Sequence, residues 1–319
     1  MLINVLCWGA AMPISKFAVD HTSAYHFLFF RFGLAALLTI PILGWYLWKL
    51  KPRWRQVLTV LALELIGTSL SLGTLYLGLT RTTALEASFL VTTIPVFVTL
   101  GGIWWLKESE EKHEWIGLIL ALAGTLVLVF EPVLSGRSQM SSFSVGGNLL
   151  ILFSNIATAA YYLLAKKYYQ SLPKLFVSPL SFWVGAITFL LLSWWQLGGN
   201  FNLDSFSLML GQFQGDLSQP LVLWPSLYMA IFGSVVGLTA YIAGQNLIEA
   251  SEASVFFYLE PLVYIPLSIG LHGERVSSLM ILAVGVIAVG VFLTEWRGLS
   301  SAKRKAASRK KKPRKKRRT

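Results

Sequence analysis

Ala84–Pro95 reads ALEASFLVTTIP, and Ala250–Pro261 reads ASEASVFFYLEP, at a constant shift of 166 residues. The same shift carries Gly78 onto Gly244, Glu86 onto Glu252, Glu108 onto Glu274 and Gly124 onto Gly290, with no gap. Two apolar helices coincide easily at Leu, Ala and Gly. They do not easily coincide at Glu, Pro and Glu in register, so the stretch marks an internal duplication. A weaker correspondence, at a shift of 150, carries Lys16 and Phe32 onto Lys166 and Phe182.

The duplicated unit is a set of membrane spans. The 319 residues are 55% hydrophobic and only 13% charged, where a soluble domain carries about a quarter charged residues. Apolar runs repeatedly exceed the roughly 18 residues at which a spanning helix becomes the natural reading. Ten spans are expected near 2–20, 25–48, 56–80, 84–106, 113–131, 146–166, 175–196, 221–248, 253–271 and 276–295. Tryptophans 45, 48, 104, 105, 115, 194, 195, 224 and 296 fall at their ends, as interfacial aromatics do. Trp8 and Trp183 fall inside spans. Five spans per half is an odd number, so the second half enters the membrane from the opposite side. The expected fold is therefore an all-α polytopic membrane protein of ten transmembrane helices in two inverted five-helix repeats. The repeats are placed at 1–131 and 146–296, with an extracytoplasmic linker at 132–145 and a basic tail at 297–319.

Charge sets the expected orientation. Lys49, Lys51, Arg53 and Arg55 follow the second span, and Lys166, Lys167 and Lys174 follow the sixth. The tail from Lys303 to Arg318 holds 12 of the 27 basic residues, leaving 15 basic against 15 acidic elsewhere. All three groups lie on one side, which the positive-inside rule makes cytoplasmic. The loop at 197–220 carries Asp204 and Asp216 without a Lys or Arg and belongs to the other side; Arg81, Arg137 and Arg275 are minor exceptions. Both termini are thus expected in the cytoplasm of a prokaryotic plasma membrane. The tail reads as a disordered, topology-fixing segment that can also meet anionic lipid headgroups. No aromatic residue interleaves it, so no nucleic-acid partner is expected. The first run contains Lys16 and ends at Asp20 without a small-residue cleavage site, so it is read as a retained span. The lone Cys7 excludes an intrachain disulfide.

Four stretches resemble the drug/metabolite transporter superfamily, specifically its EamA family. They are WGAAMPISK (8–16), RFGLAALL (31–38), LYLGLTRTTALEASFLVTTIPVF (75–97) followed by Lys107-Glu108, and AYIAGQNLIEASEASVFFYLEPLV (240–263) followed by His272-Gly273-Glu274. The resemblance implies a solute carrier, often an exporter, with a central cavity lined mainly by spans one, three, four, six, eight and nine. Spans five and ten would be peripheral. Lys107-Glu108 departs from the usual Gly-Glu, which Gly273-Glu274 keeps.

Among the carboxylates, Glu86 ends the Thr83–Glu86 capping-box pattern and Glu252 is its copy, with Glu249 nearby. Glu108 and Glu274 stand where their spans turn into the next helix. Glu260 differs. It lies eight residues past Glu252, about 12 Å along a helix, well inside a hydrocarbon core about 30 Å thick. An ionised carboxylate there is costly unless paired, hydrated or protonated. Pro261 also leaves the carbonyl of Phe257 without its helical donor. The first half has Ile94 at the matching place. Glu260 is thus expected to face a wet cavity and to bind a proton or a cationic group of the solute. Glu64 in span three is a second candidate. Arg31 is expected to pair with either carboxylate or to snorkel, and Lys16 to snorkel.

Polar and aromatic residues complete the expected pocket: Trp8, Tyr76, Thr92 and Thr93 in the first half, and Asn155, Tyr161, Tyr241, Gln245, Asn246, Tyr258 and Tyr264 in the second. Tyr241 and Gln245 are one helical turn apart. Pro95 and Pro261 are expected helix breaks. The histidines 21, 26, 113 and 272 have no metal-ligand spacing, and no enzyme motif is present. No cofactor or metal is expected. The reading is a secondary transporter, an exporter of a small organic or amino-acid-like solute, working by alternating access with proton coupling. An intramembrane lipid-modifying enzyme and a scaffold acting through the basic tail are the alternatives. Oligomeric state is open.

Overall fold

The computed structural model describes residues 2–106, 112–136, 141–169, 172–197, 201–240 and 259–293. These are helical with short connections. Seven helices are long and apolar enough to cross a membrane: Leu2–Val19, Trp54–Leu79, Ala84–Trp105, Trp115–Leu134, Phe143–Tyr168, Leu175–Gln196 and Pro220–Ala240. A pair bent by 54°, Ala24–Leu38 and Ile40–Leu50, makes an eighth, and the shorter apolar helices Pro261–His272 and Ser278–Leu293 complete the ten. We number these spans one to ten in chain order.

Several spans are interrupted, and proline explains where. Pro13 cannot donate to Gly9, and span one divides into Leu2–Gly9 and Ala11–Val19. Pro95 cannot donate to Val91, and span four divides into Ala84–Val91 and Ile94–Leu106. Span two, expected near 25–48, bends at Thr39. Pro41 removes one donor there, and the Thr39 hydroxyl bonds back to the Ala35 and Ala36 carbonyls at 2.7 and 3.2 Å. Spans three and eight each carry a π-helical segment, Leu65–Leu70 and Met229–Val236. At the repeat shift the first falls on 231–236, inside the second. Thus the two halves share a backbone irregularity that their side chains do not announce.

One expectation needs correction. The connection at 197–220, expected as a loop, contains the helix Leu203–Leu217. Asn202 caps it by accepting from Ser205 N–H at 2.8 Å. Phe206, Met209 and Phe213 recur at helical spacing and pack on Phe29, Phe30 and Val222. The helix packs its apolar stripe on spans two and eight, and its polar residues hide that stripe from a hydropathy reading.

Contacts sort the span ends onto two faces. Residues 16–23, 79–86, 131, 148, 196, 216 and 274–277 meet on one face, through pairs such as Thr22–Asp216 and Thr82–Asn148. This is the face without the basic loops, called distal below. Residues 43–60 and 169–180 meet on the other, basic face. Exposed tryptophans 45, 48, 54, 104, 105, 195 and 224 occupy the ends of spans. The internal ones have other work: Trp8 donates to the Gly233 carbonyl at 3.0 Å, and Trp183 packs on the main core.

Repeat-related glycines join spans five and ten. A Cβ on Gly124 would meet Ile287 Cγ1 at 2.8 Å and Ala283 O at 2.9 Å; one on Gly290 would meet Ala121 N and Gly117 O, both at 2.5 Å. Small residues let helices approach this closely in lipid. The outer sides of both spans are apolar and exposed, with Ile119, Leu126, Ile281 and Leu282. Gly290→Ala is therefore expected to cost about 1–3 kcal/mol by overpacking against backbone. Gly285→Ala, with nothing within 4 Å, is expected to cost nothing. Thermal midpoints in detergent compare the two.

Candidate functional site

The interruptions of spans one and four meet the start of helix Pro261–His272 of span nine at mid-depth. Glu260 lies 12 residues before the distal end of span nine, about 18 Å along the helix. Thr93 lies nine residues from the distal start of span four, about 13 Å. Gly9 packs directly on span nine: a Cβ there would stand 2.8 Å from Val263 Cβ and 3.2 Å from the Glu260 carbonyl. Phe89 of span four meets Tyr264 edge-on at 5.4 Å between ring centroids. Asn155 of span six donates to the Leu90 carbonyl at 2.7 Å and to Thr93 Oγ1 at 3.1 Å. Thr92 and Thr93 donate to the Phe89 and Leu90 carbonyls at 2.6 and 2.7 Å. Side chains thus occupy carbonyls at the opened backbone before Pro95, as lipid-buried breaks require.

Polar capacity is left over at this place. Asn155 Oδ1, Tyr264 Oη and Ser268 Oγ are buried and have no hydrogen-bond partner among the described residues. Ser268 lies one turn beyond Tyr264 on span nine, towards the distal face. The Glu260 carboxylate is half-buried, and no ion pair among the described residues includes it. An unsatisfied buried polar atom costs about 1–3 kcal/mol. Several together, on spans six and nine, describe a site that a polar solute or water completes.

Span eight closes a second side. Asn4 Nδ2 donates to the Gly237 carbonyl at 3.2 Å, Trp8 Nε1 to Gly233 O, and Tyr228 Oη to Cys7 O at 3.0 Å. Two of these bonds land on or beside the π-helical segment, which holds span one along span eight. Arg31 lies next to them. Its Nε donates to Ser234 Oγ at 3.2 Å and its Nη1 to Tyr76 Oη at 2.9 Å, with Ser15 Oγ 3.2 Å from the same tyrosine oxygen. The guanidinium also sits 5.0 Å from the Phe32 ring centroid.

Two expectations about charges are overturned here. Arg31 pairs with neither Glu64 nor Glu260; no carboxylate reaches it among the described residues. Glu64 is instead fully buried towards the basic face. It accepts from Thr68 Oγ1 at 2.7 Å, Tyr161 Oη at 2.6 Å and Tyr169 Oη at 3.1 Å. Three hydroxyl donors replace the cation, and Glu64 and Tyr161 form a spans three–six clasp rather than part of the mid-depth site. Lys16 does not snorkel either. Its Nζ donates to the Leu79 carbonyl at 3.0 Å and pairs with Asp20 at 2.8 Å. Tyr241, Gln245, Asn246 and Tyr258 lie outside the described residues.

Glu86 does more than cap. Thr83 Oγ1 accepts from Glu86 N–H at 3.1 Å, which is half of a capping box. The buried carboxylate accepts from Asn148 Nδ2 at 2.8 Å, Thr82 Oγ1 at 2.7 Å and Ser144 Oγ at 3.1 Å, joining spans four and six. Sequence reading passed over Asn4, Asn148, Ser234 and Ser268. Each is a single small polar residue in an apolar run, a signal too weak to separate a site from helix glue. Glu274, read as a turn residue, binds another span.

A family model described as the EamA-like transporter family matches residues 1–130 and 145–296. An "Uncharacterized transporter" of Archaeoglobus fulgidus is 25% identical over 92% of this chain and 95% of its own length. YyaM of Bacillus subtilis, also described as an uncharacterized transporter, is 24% identical over 89% of this chain and 88% of its own length. YedA, an "Uncharacterized inner membrane transporter" of Escherichia coli K12, is 25% identical, covering 90% and 87%. A solved crystal structure shares the fold at a TM-score of 0.56 and 14% identity, over 91% of this chain and 93% of that one.

Proposed function

This chain belongs to the EamA-like transporter family, and on that premise we propose that it is an alternating-access exporter of a small amino-acid-like solute. The observation that carries the reading is the meeting of the interrupted spans one and four with the start of helix Pro261–His272 at mid-depth, with polar atoms at the junction that have no partner among the described residues. Interrupted helices at the interface of two repeats are how transporters expose polar groups inside a bilayer.

The charges support a zwitterion. Arg31 has no acid partner among the described residues and offers a planar fork to a carboxylate. Glu260 offers a counter-charge to an ammonium group or a site for a coupling proton. Tyr264 and Asn155 supply neutral hydrogen bonds. Inner-membrane relatives and the basic loops support a prokaryotic plasma membrane with both termini cytoplasmic. The basic tail supports contact with anionic headgroups.

The test is efflux and counterflow of a labelled amino-acid panel from proteoliposomes, with and without a pH gradient. Arg31→Gln is expected to raise KM for the transported amino acid about 10–100-fold, the worth of one charge-assisted bidentate contact at about 1.5–3 kcal/mol. Flux of its carboxamide should change little. Equal loss for acid and carboxamide would make Arg31 a packing residue.

A further inference from the structure

Span nine ends at His272 with Gly273 in the left-handed region at φ 64°. That turn suits glycine and reverses the chain after the helix. It delivers the Glu274 carboxylate onto the N-terminus of span four. Oε1 accepts from Ala84 N–H at 2.7 Å and Oε2 from Leu85 N–H at 2.8 Å. A helix N-terminus has unsatisfied donors and favours an anion. Two further contacts flank this one. His272 Nε2 lies 2.7 Å from the Pro13 carbonyl of span one, so that nitrogen carries the proton. Ser277 Oγ donates to Glu131 of span five at 2.5 Å.

Residues 272–277 therefore bind the second half of the chain to spans one, four and five of the first half, all on the distal face. Span four also carries its interruption at the mid-depth site, and helix Pro261–His272 of span nine starts there. The clasp joins the distal ends of the same two helices, about 18 Å above Glu260 by helix rise. Opening the site to the distal side requires those ends to part, since the two carboxylate bonds run directly between them.

We propose that Glu274 on the N-terminus of span four is the distal gate of the transport cycle: formed when the site is closed to that face and broken when it is open. The proposal rests on the transporter reading above and adds the place of closure. Two hydrogen bonds to one flexible carboxylate suit a gate. They are charge-assisted and specific when made, and both partners meet water when released, so opening leaves no buried unsatisfied group.

The test is thiol accessibility in the full-length protein. Cys7 is the lone cysteine, so Cys7→Ala makes a cysteine-free background. Ser268→Cys then places a small reporter at a fully buried position without a partner among the described residues, between gate and site. A membrane-impermeant methanethiosulfonate is added to the distal side of oriented vesicles. With Glu274 present, labelling should be slow. With Glu274→Gln or Glu274→Ala it should accelerate about tenfold or more, the effect of losing roughly 1.4 kcal/mol of closure. Thr83→Ala removes the intrinsic cap of the same helix and leaves the clasp, so it should lower thermal stability without accelerating labelling. Labelling at the parental rate in the Glu274 variants overturns the gate, and so does equal acceleration by Thr83→Ala. Should Glu274→Ala not fold, Glu274→Asp, one methylene short of both donors, carries the same comparison. Faster labelling without flux of any solute keeps the gate and removes the transporter reading. Flux with unchanged labelling does the reverse.

Discussion

Glu260→Gln is expected to abolish most solute flux, about 100-fold or more, while leaving the thermal midpoint unchanged or raised. The two halves of this outcome have different causes. Glutamine keeps the shape and two hydrogen-bonding atoms but carries neither charge nor an exchangeable acidic proton. A carboxylate at mid-depth, outside every ion pair among the described residues, is a stability cost that the fold carries. Removing its charge relieves that cost. A glutamate retained only for packing predicts the opposite pattern: flux preserved and stability lowered, because a designed hydrogen bond would be lost. Flux and midpoint measured on the same preparation separate the two. Flux that remains and still follows the pH gradient would remove Glu260 from the coupling mechanism.

Asn148→Leu is expected to be the most destabilising single change of similar volume in the distal half of span six. Asn148 is fully buried and donates to Glu86 at 2.8 Å and to the Val129 carbonyl at 3.2 Å. It therefore links spans four, five and six through one side chain. Leucine leaves the Glu86 carboxylate with only the Thr82 and Ser144 hydroxyls of the donors named above, inside a low-dielectric interior. The cost of under-supplying a buried charged acceptor is about 3 kcal/mol, larger than that of an unpaired neutral group. Glu86→Gln/Asn148→Leu together should recover part of this loss, since the charge that needed the amide is gone. Non-additivity in that double-mutant cycle measures the coupling; strictly additive losses would show that Asn148 acts through Val129 alone. The central site is not part of this network, so flux per folded molecule should hold.

The division between residues legible beforehand and residues revealed by the fold has a physical basis. Long apolar runs ended by tryptophans identify spans, because lipid tolerates little else. The register of Glu86 with Glu252 and of Pro95 with Pro261 identifies the duplication, because those residues do not match by chance in greasy helices. Glu260 stood out for the same reason: a carboxylate is rare in such a run. What escaped was anything set by partners distant in sequence. Arg31 and Glu64 looked like complementary charges, yet Tyr161 and Tyr169, on another span, supply Glu64 instead. The helix Leu203–Leu217 was hidden because its few apolar residues are spaced for a surface rather than a span.

The sequence by itself determined that this chain crosses the membrane repeatedly, that it is a doubled five-span unit, and that Glu260 breaks the symmetry between its halves. Hydropathy, charge placement and repeat register are local quantities, so a one-dimensional reading captures them. Only the tertiary structure decided which polar groups at mid-depth have no partner among the described residues, and that Glu274 bonds to span four rather than merely turning the chain. Those are properties of pairs of atoms on different helices. In a bilayer, where apolar faces do not discriminate among neighbours, such pairings settle only when the spans have packed.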